Sequence, residues 1–250
     1  FLIWREEDRP QRLDFFFWAI RGDGRTLVVD TGFSPYSSHK RNRSYLRPPA
    51  DALRAIGIAP ETVSDVILTH LHFDHAGNTD AFPAATFHLQ DAEMAFATGR
   101  GMSHHLFREH YEVEDIAAVL RLVHAGRVRF HDGTAEITPG VVVHRMSGHT
   151  AGLQSVEVAT AHGPLVLASD AVHYWANLEH ENPFPVVVDV AGELAAYSRL
   201  EALAGDRARI VPGHDPAVLA RFPRHPSCPD VALVHLPIAA DAPVAASASR

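Results

Sequence analysis

The sequence predicts an α/β protein in which two strand-rich halves pack face to face as one αββα unit. Three observations lead there. Short apolar runs rich in β-branched residues recur through both halves; helical periodicity is confined to segments between them; and no linker-like stretch divides the chain. With 250 residues, 46% of them hydrophobic and 21% charged, the chain can bury a substantial core and has globular composition. The expected domain spans 1–250, with a core at about 14–222 and a small-residue tail at about 223–250 free to lie on the surface.

The first unit is the hairpin "LDFFFWAIRGDGRTLVVDTG", where Gly-Asp-Gly separates two apolar runs. "PPADALRAIG" reads as a short helix opened by proline and closed by Gly57. "VSDVILTH" is a buried strand, "ATFHLQ" another, and "DAEMAFATG" a helix opened by Asp91. Residues 99–111 lack periodicity and read as an insertion loop, and "EVEDIAAVLRLVHAG" is an amphipathic helix stopped by Gly126. The second half repeats the strand pattern in "RVRFHDG", "GVVVHRMSGHT", "LQSVEVAT" and "AHGPLVLASD". The helix "AGELAAYSRLEALAG", the strand "ARIVPGHD" and a short helix "DPAVLARF" complete it.

Formal charge is −8, and the basic residues are scattered except in "HKRNRSYLR" at 39–47, so nucleic-acid phosphates have little to bind. That basic segment reads as a solvated loop, or as a substrate-facing flap carrying Tyr36 and Tyr45. No apolar run approaches the about 20 residues that cross a bilayer, so no membrane partner is expected. Cys228, the only cysteine, rules out an intrachain disulfide and is expected to be structural. A cytoplasmic location is therefore expected, although the chain starts "FLIWREEDRP" without methionine and a trimmed signal peptide stays open. A homodimer also stays open.

The chain holds 18 histidines. In "ILTHLHFDHAG", His70, His72, Asp74 and His75 follow directly on an apolar run. Three more strands end near a metal-ligand residue: "VVVHRMSG" reaches His149, "PLVLAS" reaches Asp170 and "ARIVPG" reaches His214. If the strands enter their sheets in one sense, these seven side chains meet at one edge, and imidazole with carboxylate is the donor set of open zinc sites. In an extended segment His70 and His72 face one way, and a turn near Asp74 would aim Asp74 and His75 at a second position.

The motif His70-Leu71-His72-Phe73-Asp74-His75 resembles the H-x-H-x-D-H signature of the metallo-β-lactamase superfamily. Asp30-Thr31-Gly32, Gly148-His149-Thr150, Ser169-Asp170 and Gly213-His214-Asp215 stand in that superfamily's order, from about residue 14 to 216. The resemblance implies a four-layer αββα sandwich, two mixed sheets flanked by helices, with the site at one sheet edge. It implies two Zn2+ per chain: one held by His70, His72 and His149, the other by Asp74, His75 and His214, with Asp170 and a hydroxide between them. Asp30 would support the site from behind. "LTHLHFDHAGN", "GHTAGLQSV", "ASDA" and "PGHD" are similar to the N-acyl homoserine lactonases, which implies a quorum-quenching hydrolase opening a small-molecule lactone by attack of the bridging hydroxide. That group carries a tyrosine three residues after the bridging aspartate. Here His173 holds that position and Tyr174 follows, so Asp74 as proton carrier and His173 or Tyr174 as oxyanion donor are the expected catalytic residues. Phe33, Tyr36, Met102 and Phe107 would offer apolar surface to the acyl chain, and 175–186 a further wall; His104 and His105 read as exposed loop residues. The alternatives are another ester or lactone hydrolase, or a glyoxalase II-like thioesterase, against which the short tail after His214 counts. A diiron redox protein lacks its flavin domain here, and a non-catalytic metal-stabilised module would not need the full donor set.

Overall fold

The computed structural model describes residues 1–5 and 8–238. Strands β1 (Trp18–Gly22) and β2 (Arg25–Val29) form the expected hairpin. Its turn residues Asp23 and Gly24 have φ of 49° and 72°, the left-handed pair that a two-residue hairpin turn requires.

The basic segment 39–47 is not all loop, because its first three residues belong to α1 (Pro35–Arg41). Its signals are at the ends: Ser34 Oγ accepts from Ser37 N at 3.2 Å, Pro35 opens the first turn, and Asn42 closes it at φ 51°. The basic residues of this segment are used internally, since Lys40 Nζ and Arg41 Nη2 reach Glu112 at 2.8 and 2.7 Å.

Helix α2 (Pro49–Ala55) is followed by β3 (Asp65–Ile67), β4 (Thr86–Gln90) and α3 (Asp91–Ala97). The supposed insertion loop contains the short helix α4 (His105–Arg108), and α5 (Val113–His124) leads to β5 (Val128–His131). The first sheet runs β1-β2-β3-β4-β5, parallel from β2 onward.

In the second half, β6 (Thr134–Thr138), β7 (Val141–Arg145), β8 (Gln154–Thr160) and β9 (Gly163–Ser169) form an antiparallel meander. Strand β6 carries little signal of its own: "TAEIT" has few apolar residues, and pairing with β7 makes it a strand. After α6 (Trp175–Glu179) and α7 (Val190–Ala204), β10 (Ile210–Pro212) lies parallel to β9 and completes the order β10-β9-β8-β7-β6. Helix α8 (Ala217–Arg221) precedes a small antiparallel pair, β11 (Arg224–His225) and β12 (Cys228–Ala232). Folded chain thus continues beyond the expected core limit at 222; Val234 and Ile238 pack on the inter-sheet core, while 239–250 of the tail lie outside the described residues.

Alternation along the strands builds the four layers. Val29, Ile67, Val143, Val156, Leu167 and Val211 fill the space between the sheets. Val66, Phe87 and Leu89 face Leu53, Ala97 and Val119 of the helices on one outer side. Val166, Ala168 and Ile210 face Ala196, Tyr197 and Leu200 of α7 on the other. Among the described residues no helix is long and apolar enough to cross a membrane.

One half-buried carboxyl makes a stability prediction. Burial, then the neighbouring Glu112, push the Asp115 carboxyl up to about 7, and its Oδ2 has no hydrogen-bond partner among the described residues. A raised folded-state pKa stabilises below the unfolded value and loses that contribution as pH climbs through the folded one. Denaturant titrations should therefore show Asp115→Asn gaining on wild type by about 1 kcal/mol between pH 5 and 8, a figure reduced for partial exposure.

Candidate metal centre

Strands β2, β3, β9 and β10 all run toward the same edge, and each hands over to a polar residue just past its C-terminal end: Asp30, His70, Asp170 and His214. The loop after β7 adds His149. Asp30 and Ser169 adopt left-handed backbone, φ 64° and 49°, a strain of about 1 kcal/mol or more each that bends the chain where a straight strand would overshoot.

The seven residues picked out from the sequence come together and all are buried. They fall around the two oxygens of Asp170. His149 Nε2 and His70 Nε2 lie 3.3 and 3.8 Å from Oδ2, and His72 Nδ1 lies 3.0 Å from His149 Nε2. His214 Nε2 and His75 Nε2 lie 3.0 and 3.3 Å from Oδ1, with Asp74 Oδ2 at 3.7 and 3.5 Å from the same two nitrogens. His70, His72, His149 and Asp170 thus form one group with ligating atoms within 4.8 Å of one another, and Asp74, His75 and His214 form a second.

The far ring nitrogens are held from behind. His149 Nδ1 donates to Val186 O and His214 Nδ1 to Asp14 O, each at 2.7 Å. His75 Nδ1 lies 2.8 Å from Asp30 Oδ2, and Asp30 also accepts from Thr69 N and Thr69 Oγ1 at 2.7 and 2.9 Å. These contacts fix which nitrogen faces the centre.

At three of the five imidazoles the electrostatics match metal-ligand chemistry, while, against burial, the carboxylates of Asp170 and Asp74 raise His75 and His214 above the ordinary histidine value. Burial, helped by neighbouring imidazoles, drives His70 and His72 well below the ordinary histidine value and His149 down to about 3, leaving neutral rings. Burial alone would raise Asp170, but His214, His75, His173 and His149 hold it well below the carboxylate range as an anion. The donor set also fits a cation on steric grounds, because His70 Nε2 and His75 Nε2 are buried without a hydrogen-bond partner among the described residues. Desolvated nitrogens aimed at a shared point are costly unless something ligates them.

The two residues expected to assist catalysis part company. His173 Nε2 lies 3.2 Å from Asp170 Oδ2, inside the cluster. Tyr174 turns away, its hydroxyl donating to Arg12 O at 3.2 Å. Of the apolar residues named from sequence, Phe33 stands near the centre, packed on Phe73 and on Phe15, whose ring is 5.4 Å from that of His214. Met102 packs on the outer helix-side core, Phe107 on Phe96, and Tyr36 is exposed.

Sequence reading missed the braces. Glu93 on α3 is fully buried and accepts from Leu71 N at 3.0 Å, Thr150 Oγ1 at 2.6 Å, Gly152 N at 3.1 Å and Tyr111 Oη at 3.2 Å. It ties the loop of His70 to the loop of His149, yet nothing in "DAEMAFATG" marks its glutamate as buried. Thr69, sharing its hydroxyl among Asp30, His70 and Ser169, was equally silent.

A sequence profile of the metallo-beta-lactamase superfamily matches residues 16–214. An N-acyl homoserine lactonase of Bacillus cereus is 33% identical over 219 residues, 81% of this chain and 82% of the relative. The crystal structure of a quorum-quenching N-acyl homoserine lactone lactonase superposes with a TM-score of 0.69 at 26% identity, covering 84% of each chain. An N-acyl homoserine lactone hydrolase with the product N-hexanoyl-L-homoserine bound at its catalytic metal centre gives a TM-score of 0.68 at 25% identity, over 84% of this chain and 86% of that one. The chain belongs to the metallo-β-lactamase superfamily and is a hydrolase of it. Within that superfamily it resembles the N-acyl homoserine lactonases.

Proposed function

We propose that this protein is a dinuclear zinc hydrolase that opens the ring of an N-acyl homoserine lactone. The observation that supports it most is the division of six histidine and aspartate side chains between the two oxygens of Asp170. In this reading His70, His72 and His149 would hold one ion, Asp74, His75 and His214 the other, and Asp170 would contribute to both. A divalent pair held there would acidify a water molecule and polarise a carbonyl oxygen at neutral pH.

The chain's own groups do the remaining work. Water adds to the lactone carbonyl carbon, the ring carbon–oxygen bond breaks, and the products are a carboxylate, a free hydroxyl and one released proton. Asp74 Oδ2 lies at the edge of the cluster, 3.5 Å from His75 Nε2 and 3.7 Å from His214 Nε2, and would carry the proton from the attacking water to the departing ring oxygen. Phe15 and Phe33, packed on each other and on Phe73 beside His214, would exclude bulk water from one side and give the acyl chain an apolar surface.

The test is metal analysis beside a hydrolysis panel of acyl homoserine lactones, simple γ- and δ-lactones, S-lactoylglutathione and a β-lactam. Two metals per chain are expected, with kcat/KM for an acyl homoserine lactone at least about tenfold above every other compound. Preference for the thioester would move the protein to the glyoxalase II-like reading.

A further inference from the structure

His173 occupies an unusual place for a residue outside the seven. It stands three residues after Asp170, behind the fully buried Ala171 and Val172, and is itself buried. Its backbone runs beside that of His214: Gly213 N donates to Val172 O at 2.9 Å and His214 N to His173 O at 3.1 Å. The two histidines are therefore delivered to the same edge side by side, their rings 5.1 Å apart and 29° from parallel. The opposite face of the His173 ring lies on Phe184, 3.9 Å between centroids and 10° from parallel, so the ring has one orientation.

We propose that His173 is an eighth metal ligand, its Nε2 facing Asp170 Oδ2 and its ring beside that of His214. The proposal rests on the metal reading above. Its distance matches those of the other imidazoles: His173 Nε2 is 3.2 Å and His149 Nε2 3.3 Å from Asp170 Oδ2, and His214 Nε2 is 3.0 Å and His75 Nε2 3.3 Å from Oδ1. Donors about 2.0–2.2 Å from one zinc at ordinary angles would lie roughly 3–3.5 Å apart, a range that these spacings meet. A side chain that only hydrogen-bonded to Asp170 would have no need to converge on His214 as well, yet Asp170, His173 and His214 bring their ligating atoms within 4.8 Å of one another.

What sets His173 apart is its rear support. His75 and His214 are braced by Asp30 and by the Asp14 carbonyl, whereas His173 Nδ1 is buried with no hydrogen-bond partner among the described residues. Stacking on Phe184 and His214 and the contact to Asp170 orient it instead.

The experiment counts ligands without using activity. Metal-free protein is loaded with two equivalents of cobalt(II), and the hyperfine-shifted, solvent-exchangeable imidazole N–H resonances are counted by proton NMR. His70, His72, His75, His149 and His214 account for five; six are expected, one of them lost in His173→Phe, which keeps an aromatic ring on Phe184. Chelator competition should show one of the two cobalt sites weakened by about 100-fold or more in that variant, beyond the 10–100-fold typical of a supporting partner. Five resonances in wild type, or His173→Phe with an unchanged spectrum and unchanged affinity, would overturn the proposal while leaving the two-metal reading intact. Wild-type protein that takes up no cobalt would overturn both.

Discussion

Asp170→Asn should lower lactone turnover by about 10³-fold or more and leave the protein with one bound metal or none. The two side chains have nearly the same shape, so the effect is chemical. An amide offers one oxygen where the carboxylate offers two, and its nitrogen has no lone pair to give. Around it His75, His149, His173 and His214 come within 3.0–3.3 Å. Their arrangement is electrostatically balanced only by an anion: Asp170 is buried and nevertheless held well below the carboxylate range by those rings. Removing the charge leaves desolvated imidazoles facing one another, and the two halves of the cage lose their common member. Metal content by atomic spectroscopy and turnover on an acyl homoserine lactone check this together. A variant with wild-type metal content and wild-type rate would refute the bridging role.

Gly148→Ala should cost about 4 kcal/mol or more and reduce soluble yield, although it adds a single methyl group next to the site rather than in it. Gly148 has φ of 141°, a backbone region that side-chain-bearing residues rarely adopt. A Cβ there would stand 2.6 Å from the Cα of Glu193, so the clash is with the backbone of α7 and cannot be relieved by a rotamer change. Gly148 O also accepts from Val188 N and Asp189 N at 2.8 and 3.0 Å, and Asp189 caps α7 by accepting from Gly192 N at 3.0 Å. Moving this turn displaces His149 and the start of the helix together. Chemical denaturation measures the loss, and a midpoint equal to wild type would show that the turn relaxes freely.

How much of this was legible in the sequence depends on the kind of signal each residue leaves. The strands that deliver His70, Asp170 and His214 are continuous apolar runs with a polar residue at the end, a pattern that survives in one dimension. Helix α1 left only its caps, Ser34-Pro35 and Asn42, because its middle is polar and its contacts go to Glu112 on a distant segment. Strand β6 exists through its partner, and β11 and β12 follow from packing beyond the expected core boundary. Within the site, residue order located the seven side chains that meet but not their supports. Glu93 and Thr69 belong to residue types that usually face solvent, and burial is a property of the whole fold. Between His173 and Tyr174 the sequence had no means to choose, since which side chain turns inward after Asp170 is decided by the pairing of Val172 and His173 with Gly213 and His214.

The donors come from four separate places in the chain, and the last of them, His214, is 139 residues past His75 (214 − 75). During synthesis, then, most of the chain has left the ribosome while the histidine turn at 70–75 still lacks its counterparts. Ordering that turn early would require closing loops whose far ends do not yet exist. Metal acquisition should accordingly coincide with the final stage of folding, and a nascent chain stalled before Asp170 would hold a cation no better than a short histidine peptide.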